Sequence, residues 1–575
     1  MYRKRITKQT LKKSTAVLTA STLILGGSSA VFAASSYQET EKEALSALTE
    51  SMAEGWDKSL DEYGTAKQGE KADISLNLED AGRSILGLMV PVDLSWLNNI
   101  GMDMDVAIED AVEAVDAEIY VNDTTVGTMR ILLDLASMVE YIQIPEISES
   151  YLKADLLEEN TIDVENGDGS DSVEIDEEAF EKSAQITEAI MSDPEAYLPD
   201  GATMKEILDR YVTMLLDYLK EGPSVEETVS VSGIGQDCTV YEGQMTEKDA
   251  VDFVKEALTA AKEDEQLKEL IESWQEFAED TQDLYGDFQK AVEDALADLE
   301  TEEELSETEY ISSKIWVSEQ GKIVGREFAV CEGIDSEPLF TWKNPHKDDA
   351  SGLLIELNSD EGVLSLGGSG ETKDGKMNGS YDIASDGVIV ANVVMEDYDL
   401  ETAKAGYPNG SFTVSFPQGD VEESESAYNP LANFSLVLNL ISDEASDTSE
   451  IELSVLSAGV SLGSLKINGS LSEGMEIPDI EKAGTIYDAA NEADMEAYAE
   501  ELDFGTILDN ARTAGVPEAL VAQLDEALQS ALSGEEETDL TEDGDASPEE
   551  NQEDAAEEEE PEKEETEAEE NGAKS

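Results

Sequence analysis

The chain has 575 residues, with 135 acidic against 35 basic side chains and a formal net charge of −100. A field of that sign repels nucleic acid, anionic lipid headgroups and anionic wall polymers, and it favours cations, basic partners and solubility. A single histidine excludes zinc centres built on several of them, and 40% hydrophobic residues are ample for a large core.

The N-terminus, "MYRKRITKQTLKK", carries six bases and no acid, and is followed by "AVLTASTLILGGSSAVFA" with small residues at Val31 and Ala33. This is the pattern of a signal peptide over residues 1–33, cleaved after Ala33. The apolar run is too short and too rich in Gly and Ser for a membrane span, which needs about 20 apolar residues. Losing six bases takes the net charge from −100 to about −106. No cysteine stands at the cleavage site and "EENGAKS" has no hydrophobic tail. The expected location is therefore secreted, or the exterior of a bacterial cell envelope, with no stable membrane anchor.

Residues 37–60 put Ala44, Leu45, Leu48, Met52 and Trp56 on one helical stripe. "ADISLNLE" alternates Ile74, Leu76 and Leu78 with polar residues as a half-buried strand does. "GMDMDVAIED", "AVDAEIYVND" and "TVGTMRILLDL" continue the strands, and "VEYIQIPEISESYLKADL" follows, interrupted at Pro145, which has no ladder donor. A loop at 166–172 precedes helices near 176–192 and 202–221. "ETVSVSGIGQDCTVYEGQM" returns to strand, and "TEKD" from Thr246 starts a helical stretch. Its stripe of Val251, Val254, Leu258, Leu267, Leu270, Ile271, Trp274 and Phe277 runs on to about Leu299.

From Tyr310 to about Leu471 the chain reads as strands joined by tight turns such as "TKDGK", "ASDG" and "YPNG". Short helices occupy about 487–532, and the acidic segment 534–575 has the composition of a disordered tail. Strands on both sides of helical insertions (about 176–221 and 247–300) most simply build one sheet. The expected fold class is α+β: a large, curved, mainly antiparallel, half-barrel-like sheet over 37–471 with helices on one face, then C-terminal helices over 472–533. Cys238 and Cys331 permit either one disulfide, closing a loop of about 93 residues, or two buried thiols.

Several stretches resemble extracytoplasmic proteins of the LolA/LppX-like half-barrel superfamily. "MDMDV" at Met102–Val106 is similar to an alternating strand of that group, "YIQIPEISESYLKADL" to its strand, proline and aromatic-x-Lys-x-Asp ending, and "SSKIWVSEQGKIVGREF" to its paired strands. The chain departs from the lipoprotein members in lacking a lipidated cysteine. The resemblance implies a curved sheet closed by helices around an apolar cavity, and brings no catalytic residues with it.

The chemical signals are weak. His346 in "KNPHKDD" reads as an exposed loop residue. Ser150 and Lys153 match S-x-x-K, but strand alternation sends them to opposite faces. "DVENGDGSDSVEID" fails the EF-hand register from either Asp163 or Val164. Gly367–Gly370, "GGSG", lies within a strand meander and implies a bulge or bend, not a phosphate loop. No cofactor and no metal site is expected. The leading functional expectation is an exported, non-catalytic binding or carrier-like protein that shelters an apolar small molecule or lipid on the concave sheet. The second is a structural or protein-interaction component of the envelope with a solid core. A basic protein or cations are further expected partners through the acidic tail.

Overall fold

A computed structural model describes residues 36–533, apart from 64–67, 90–92, 110–111, 136, 157–160, 163–172, 175–185, 187–188, 191–193, 278–282, 301–304, 333–334, 360–361, 418–430, 473 and 483. The expected signal peptide, the acidic tail, the calcium-like loop over 163–172 and most of the helix near 176–192 lie outside the described residues. The chain divides into two compact units, 1–525 and 526–575, and the whole sheet belongs to the first.

In chain order, α1 (Tyr37–Tyr63), β1 (Gln68–Leu78) and α2 (Asp80–Met89) come first. Then come β2 (Asn99–Glu109), β3 (Val112–Val121), β4 (Thr124–Asp134), β5 (Val139–Gln143) and β6 (Tyr151–Asp155). A separate two-residue pair is formed by β7 (Thr161–Ile162) and β8 (Val173–Glu174). The middle holds α3 (Pro194–Tyr197), α4 (Gly201–Tyr218), β9 (Lys220–Glu221), β10 (Val225–Val231), β11 (Ile234–Thr246), α5 (Glu247–Glu263), α6 (Glu265–Ser273) and α7 (Leu284–Glu300). The long strand run is β12 (Glu309–Ser318), β13 (Ile323–Glu332), β14 (Asp335–Lys343), β15 (His346–Lys347), β16 (Ala350–Ser359), β17 (Gly362–Lys373), β18 (Lys376–Ser385) and β19 (Val388–Asp399). After α8 (Leu400–Lys404) it continues as β20 (Gly410–Ser415), β21 (Phe434–Asp443), β22 (Thr448–Ser457) and β23 (Val460–Ser472). β24 (Ile486–Asp488), α9 (Glu492–Glu501), α10 (Gly505–Thr513) and α11 (Glu518–Ser533) end the described chain.

Apart from β7 and β8, the strands form one open, mostly antiparallel sheet of 22 strands. The ladder starts with β9 and β10, both on β11, and runs through β12, β13, β14 with β15, and then β16 to β23 in sequence order. The next neighbour of β23 is β1, from the other end of the sequence: Ile74 stands opposite Ile467 on one side and Met102 on the other. From β1 the order is β2 to β6, and β24 closes the row in parallel with β6. The expected single sheet, joined around the helical insertions, is thus formed.

Local chemistry explains the element ends. The turns in "TKDGK" and "ASDG" place Asp374 and Gly375, and Asp386 and Gly387, at positive φ, the conformation a two-residue hairpin needs. Thr246 and Asp249 form a reciprocal capping box at the start of α5. The stripe expected to run on to Leu299 is broken at Asp264, whose side chain accepts from the N–H groups of Gln266 and Leu267 and pairs with Arg210 of α4, starting α6 afresh. Pro145 sits in a chain reversal, so the ribbon expected from 139 to 156 is a hairpin, with Ile142 of β5 opposite Leu152 of β6.

Helices cover one face of the sheet at the β11–β13 end. Met245, Ile311, Ile315 and Ile323 are 0% exposed and pack with Leu45 of α1, Leu216 of α4, Leu219 just beyond it and Phe253 of α5. Each such side chain contributes about 1.5–3 kcal/mol through burial. Tyr37 lies on Gly243, where an added Cβ would stand 2.4 Å from the ring, so only glycine admits the tyrosine. The same strands also curl over. The backbone N–H of His346 donates to Gln236 Oε1 at 2.7 Å, and Gly352 lies against Val231. Val229, Cys238, Val240, Trp316 and Val324 are buried together on the second face. Consecutive apolar residues such as Ile315, Trp316 and Val317 are the signature of strands buried on both sides.

Candidate binding face

Directly opposed residues in a ladder project to the same face, so the register reads out both surfaces of the sheet. Beyond the helix-covered end, one face carries unbroken apolar rows. Phe412, Leu438, Leu453, Leu465, Leu76 and Ile100 form one row from β20 to β2. Leu440, Ile451, Ile467, Ile74, Met102 and Ile119 form a parallel row from β21 to β3. The face is continuous with the helix-covered core through Phe340 opposite Leu357, and Leu357 opposite Leu364. Yet Leu357 is 48% exposed, Leu364 50%, Leu465 38%, Leu76 43% and Ile119 40%. From β16 to β3 the face spans eleven strands, roughly 48 Å at about 4.8 Å spacing, with exposed apolar residues at β16–β17 and from β22 to β3, while Tyr381 on β18 and Ala391 on β19 are buried. At its far end α10 returns to β4, with Asn510 Nδ2 donating to the carbonyl of Val126 at 3.1 Å.

Tyr381 explains the glycines of "GGSG". Its ring lies along Gly368, Gly370 and Gly379, and a Cβ on Gly368 would stand 2.2 Å from the carbonyl oxygen of Ser380. The pairing of β17 with both neighbours stays in register there, so of the expected bulge or bend the bulge is not formed, and the strand instead carries a tyrosine slot.

The opposite face is acidic. A groove of about 640 Å³ across β21, β22, β23, β1, β2 and β3 is lined by Asp73, Asp103, Asp105, Asp116, Glu118 and Glu450. Lys71 pairs with Asp105 at 2.8 Å, Arg130 with Asp116 at 2.9 Å, and Lys466 with Glu450 at 2.9 Å. Asp73 accepts from the Tyr120 hydroxyl at 2.7 Å and from Asn468 Nδ2 at 2.8 Å. Partial burial and the neighbouring carboxylates of Asp73 and Glu118 push the Asp103 carboxyl above its ordinary pKa. Partial burial and Asp73 push the Tyr120 hydroxyl up to about 12. Among the described residues, no group of three or more His, Cys, Asp or Glu side chains is placed to hold a metal ion.

Comparison with family models, curated proteins and solved structures finds no match.

The sequence-level candidates are scattered. His346 is exposed in β15. Ser150 donates to Glu501 Oε2 at 2.8 Å, while Lys153 reaches Asp488 at 3.1 Å, so the S-x-x-K pair is split between two acids. Cys238 stands opposite Ser318 at one end of β12, whereas Val330, next to Cys331, stands opposite Ile311 near the other. At about 3.3 Å per residue the two are some 20 Å or more apart, and a bridge tolerates roughly 7 Å between α-carbons. The permitted disulfide is therefore not formed, and both residues are buried thiols. Burial, then the adjacent Asp237, pushes the Cys238 thiol up to about 11. The expected result is negligible thiol alkylation of the folded protein and two alkylations after unfolding without reductant, read by intact mass. A single oxidised species lacking both sites would contradict the register.

The bare face and the acidic groove escape single-residue motif reading, because each is assembled from strands up to about 400 residues apart. The signal within reach was the strict alternation itself: "EIELSVLS" and "ADISLNL" are half-apolar ribbons with no second layer in sequence to cover them.

Proposed function

We propose that the protein is an exported, non-catalytic interaction protein that docks a macromolecular partner on the uncovered apolar face of its sheet. The observation that carries this reading is the exposure of apolar side chains on that face at β16–β17 and again from β22 to β3, since monomeric soluble proteins rarely leave wide apolar surfaces open. A surface roughly 48 Å across exceeds what one lipid-sized ligand covers and suits a partner that buries about 800 Å² or more per side.

A carrier reading, as the half-barrel resemblance implies, would place an apolar cargo beneath the helices. There Ile311, Ile315 and Met245 are already fully occupied by helix side chains. The groove on the other face is lined by carboxylates, which do not suit an apolar cargo. The filled core and open face favour docking over sheltering. Export rests on the basic and apolar pattern of residues 1–33.

The test is site-specific photo-crosslinking in secreting cells. A photoreactive residue at Leu465, on the apolar face, is compared with one at its neighbour Ser464, which projects to the opposite face. Adducts of defined mass from position 465 and none from 464 are expected. Equal yields from both, or none from 465, would overturn the reading.

A further inference from the structure

We infer that the partner segment docking on this face is a basic amphipathic helix. The inference rests on the docking reading above and adds the chemistry of the occupant.

Charge selects among the candidates. Across β20 to β23 and β1 to β3, the residues in register with the apolar rows include no lysine or arginine, and their charged members are Glu70 and Glu113. Behind them, one sheet thickness away, lie Asp73, Asp103 and Glu118, together with Asp105 and Asp116, whose charges Lys71 and Arg130 offset. Fields of several such groups add through a thin, weakly polarisable layer. A second copy of this chain would bring another net charge of −100, and anionic membranes are repelled in the same way. A partner that presents apolar side chains toward the rows and bases at their rim is attracted on both counts.

Shape selects the element. The row Leu440, Ile451, Ile467, Ile74, Met102, Ile119 crosses six strands at about 4.8 Å spacing and spans roughly 24 Å. An α-helix of about 16 residues has that length, and its apolar stripe recurs once per turn of about 5.4 Å, close to the strand spacing. The helix needs no concave groove, because two parallel rows flank its contact line.

The experiment titrates the full mature protein with synthetic leucine–lysine peptides of about 18 residues, by calorimetry at about 0.05 M and 0.5 M salt. One peptide is patterned as an amphipathic helix, one has the same composition permuted, and one replaces lysine by glutamine. The patterned cationic peptide is expected to bind about tenfold or more tighter than the permuted one, to weaken at high salt, and to lose about tenfold with the double variant Leu76→Asn/Leu465→Asn. Ile119→Asn, on another strand, replaces the pair if circular dichroism shows the double variant unfolded. Equal binding of the permuted peptide, or unchanged affinity of a folded variant, would overturn the inference. Equal binding of the glutamine peptide would remove the charge requirement while leaving the docking face standing, and crosslinks from Leu465 separate those two failures.

Discussion

Ile74→Pro is expected to uncouple the two parts of the sheet. β1 is the described strand that joins β23 to β2, and Ile74 lies near its middle, opposite Ile467 and Met102. Proline removes an N–H from a strand that is paired on both sides, and its ring disturbs the neighbouring ladder. Leaving the partner carbonyl of the lost ladder bond unpaired costs about 1–3 kcal/mol before the distortion of the neighbouring strands is added. The loss falls unevenly, because the β11–β13 end has its own buried core under α1, α4 and α5. Hydrogen exchange should show β2 to β4 losing protection by orders of magnitude while β11 to β13 keep most of theirs, and calorimetry should resolve two transitions. Unchanged protection in β2 to β4 would mean that the β1 ladder does not carry the connection.

Arg326→Met should destabilise the helix-covered end by about 3–5 kcal/mol in urea denaturation. Arg326 Nη1 donates to Glu41 Oε1 at 2.5 Å, with 5% and 0% of the two side chains exposed. Among the described residues, Arg326 Nε and Nη2 and Glu41 Oε2 have no hydrogen-bond partner, so the pair is held by one contact within an apolar core. Removing the guanidinium strands the Glu41 carboxylate, and that stranded charge is the source of the cost. The double variant Glu41→Leu/Arg326→Met removes both charges and should recover most of the loss. Additive losses in the cycle would show that the two charges do not interact. The pair ties α1, at the start of the described chain, to β13 almost 300 residues later. Nearby, burial first and then Glu41 hold the Tyr37 hydroxyl well above the ordinary tyrosine range, so Tyr37 stays neutral in the folded protein at physiological pH.

Element identity was largely legible. Period-two alternation, Asp-Gly turns and the Thr246 capping box specify backbone conformation within a few residues of themselves, and they appear in the structure where they were read. Two local readings failed for local reasons that need a partner to be seen. Asp264 ends a helix because Arg210 and two backbone N–H groups hold its carboxylate, and α2 (Asp80–Met89), which the strand pattern passed over, is joined to β23 through Glu79, whose N–H donates to the carbonyl of Leu462 at 3.0 Å. The helical stripe of α1 was right at Ala44 and Leu45, but Met52 is 48% exposed, while polar Thr40 and Glu41 are buried. No hydropathy pattern marks a glutamate for the core when its counter-charge lies on β13.

By itself, the sequence determined a strongly acidic chain of alternating strands with helices inserted between them, because charge, alternation and turn chemistry act over a few residues. Only the fold in three dimensions places β1 between β23 and β2, sets Cys238 and Cys331 at opposite ends of the two strands that flank β12, and, among the described residues, layers α1, α4 and α5 over the β11–β13 end while apolar side chains stay exposed from β22 to β3. Those outcomes depend on which ribbons find each other across hundreds of residues. An alternating ribbon presents the same apolar edge to many partners, so its own residues do not name the one it pairs with.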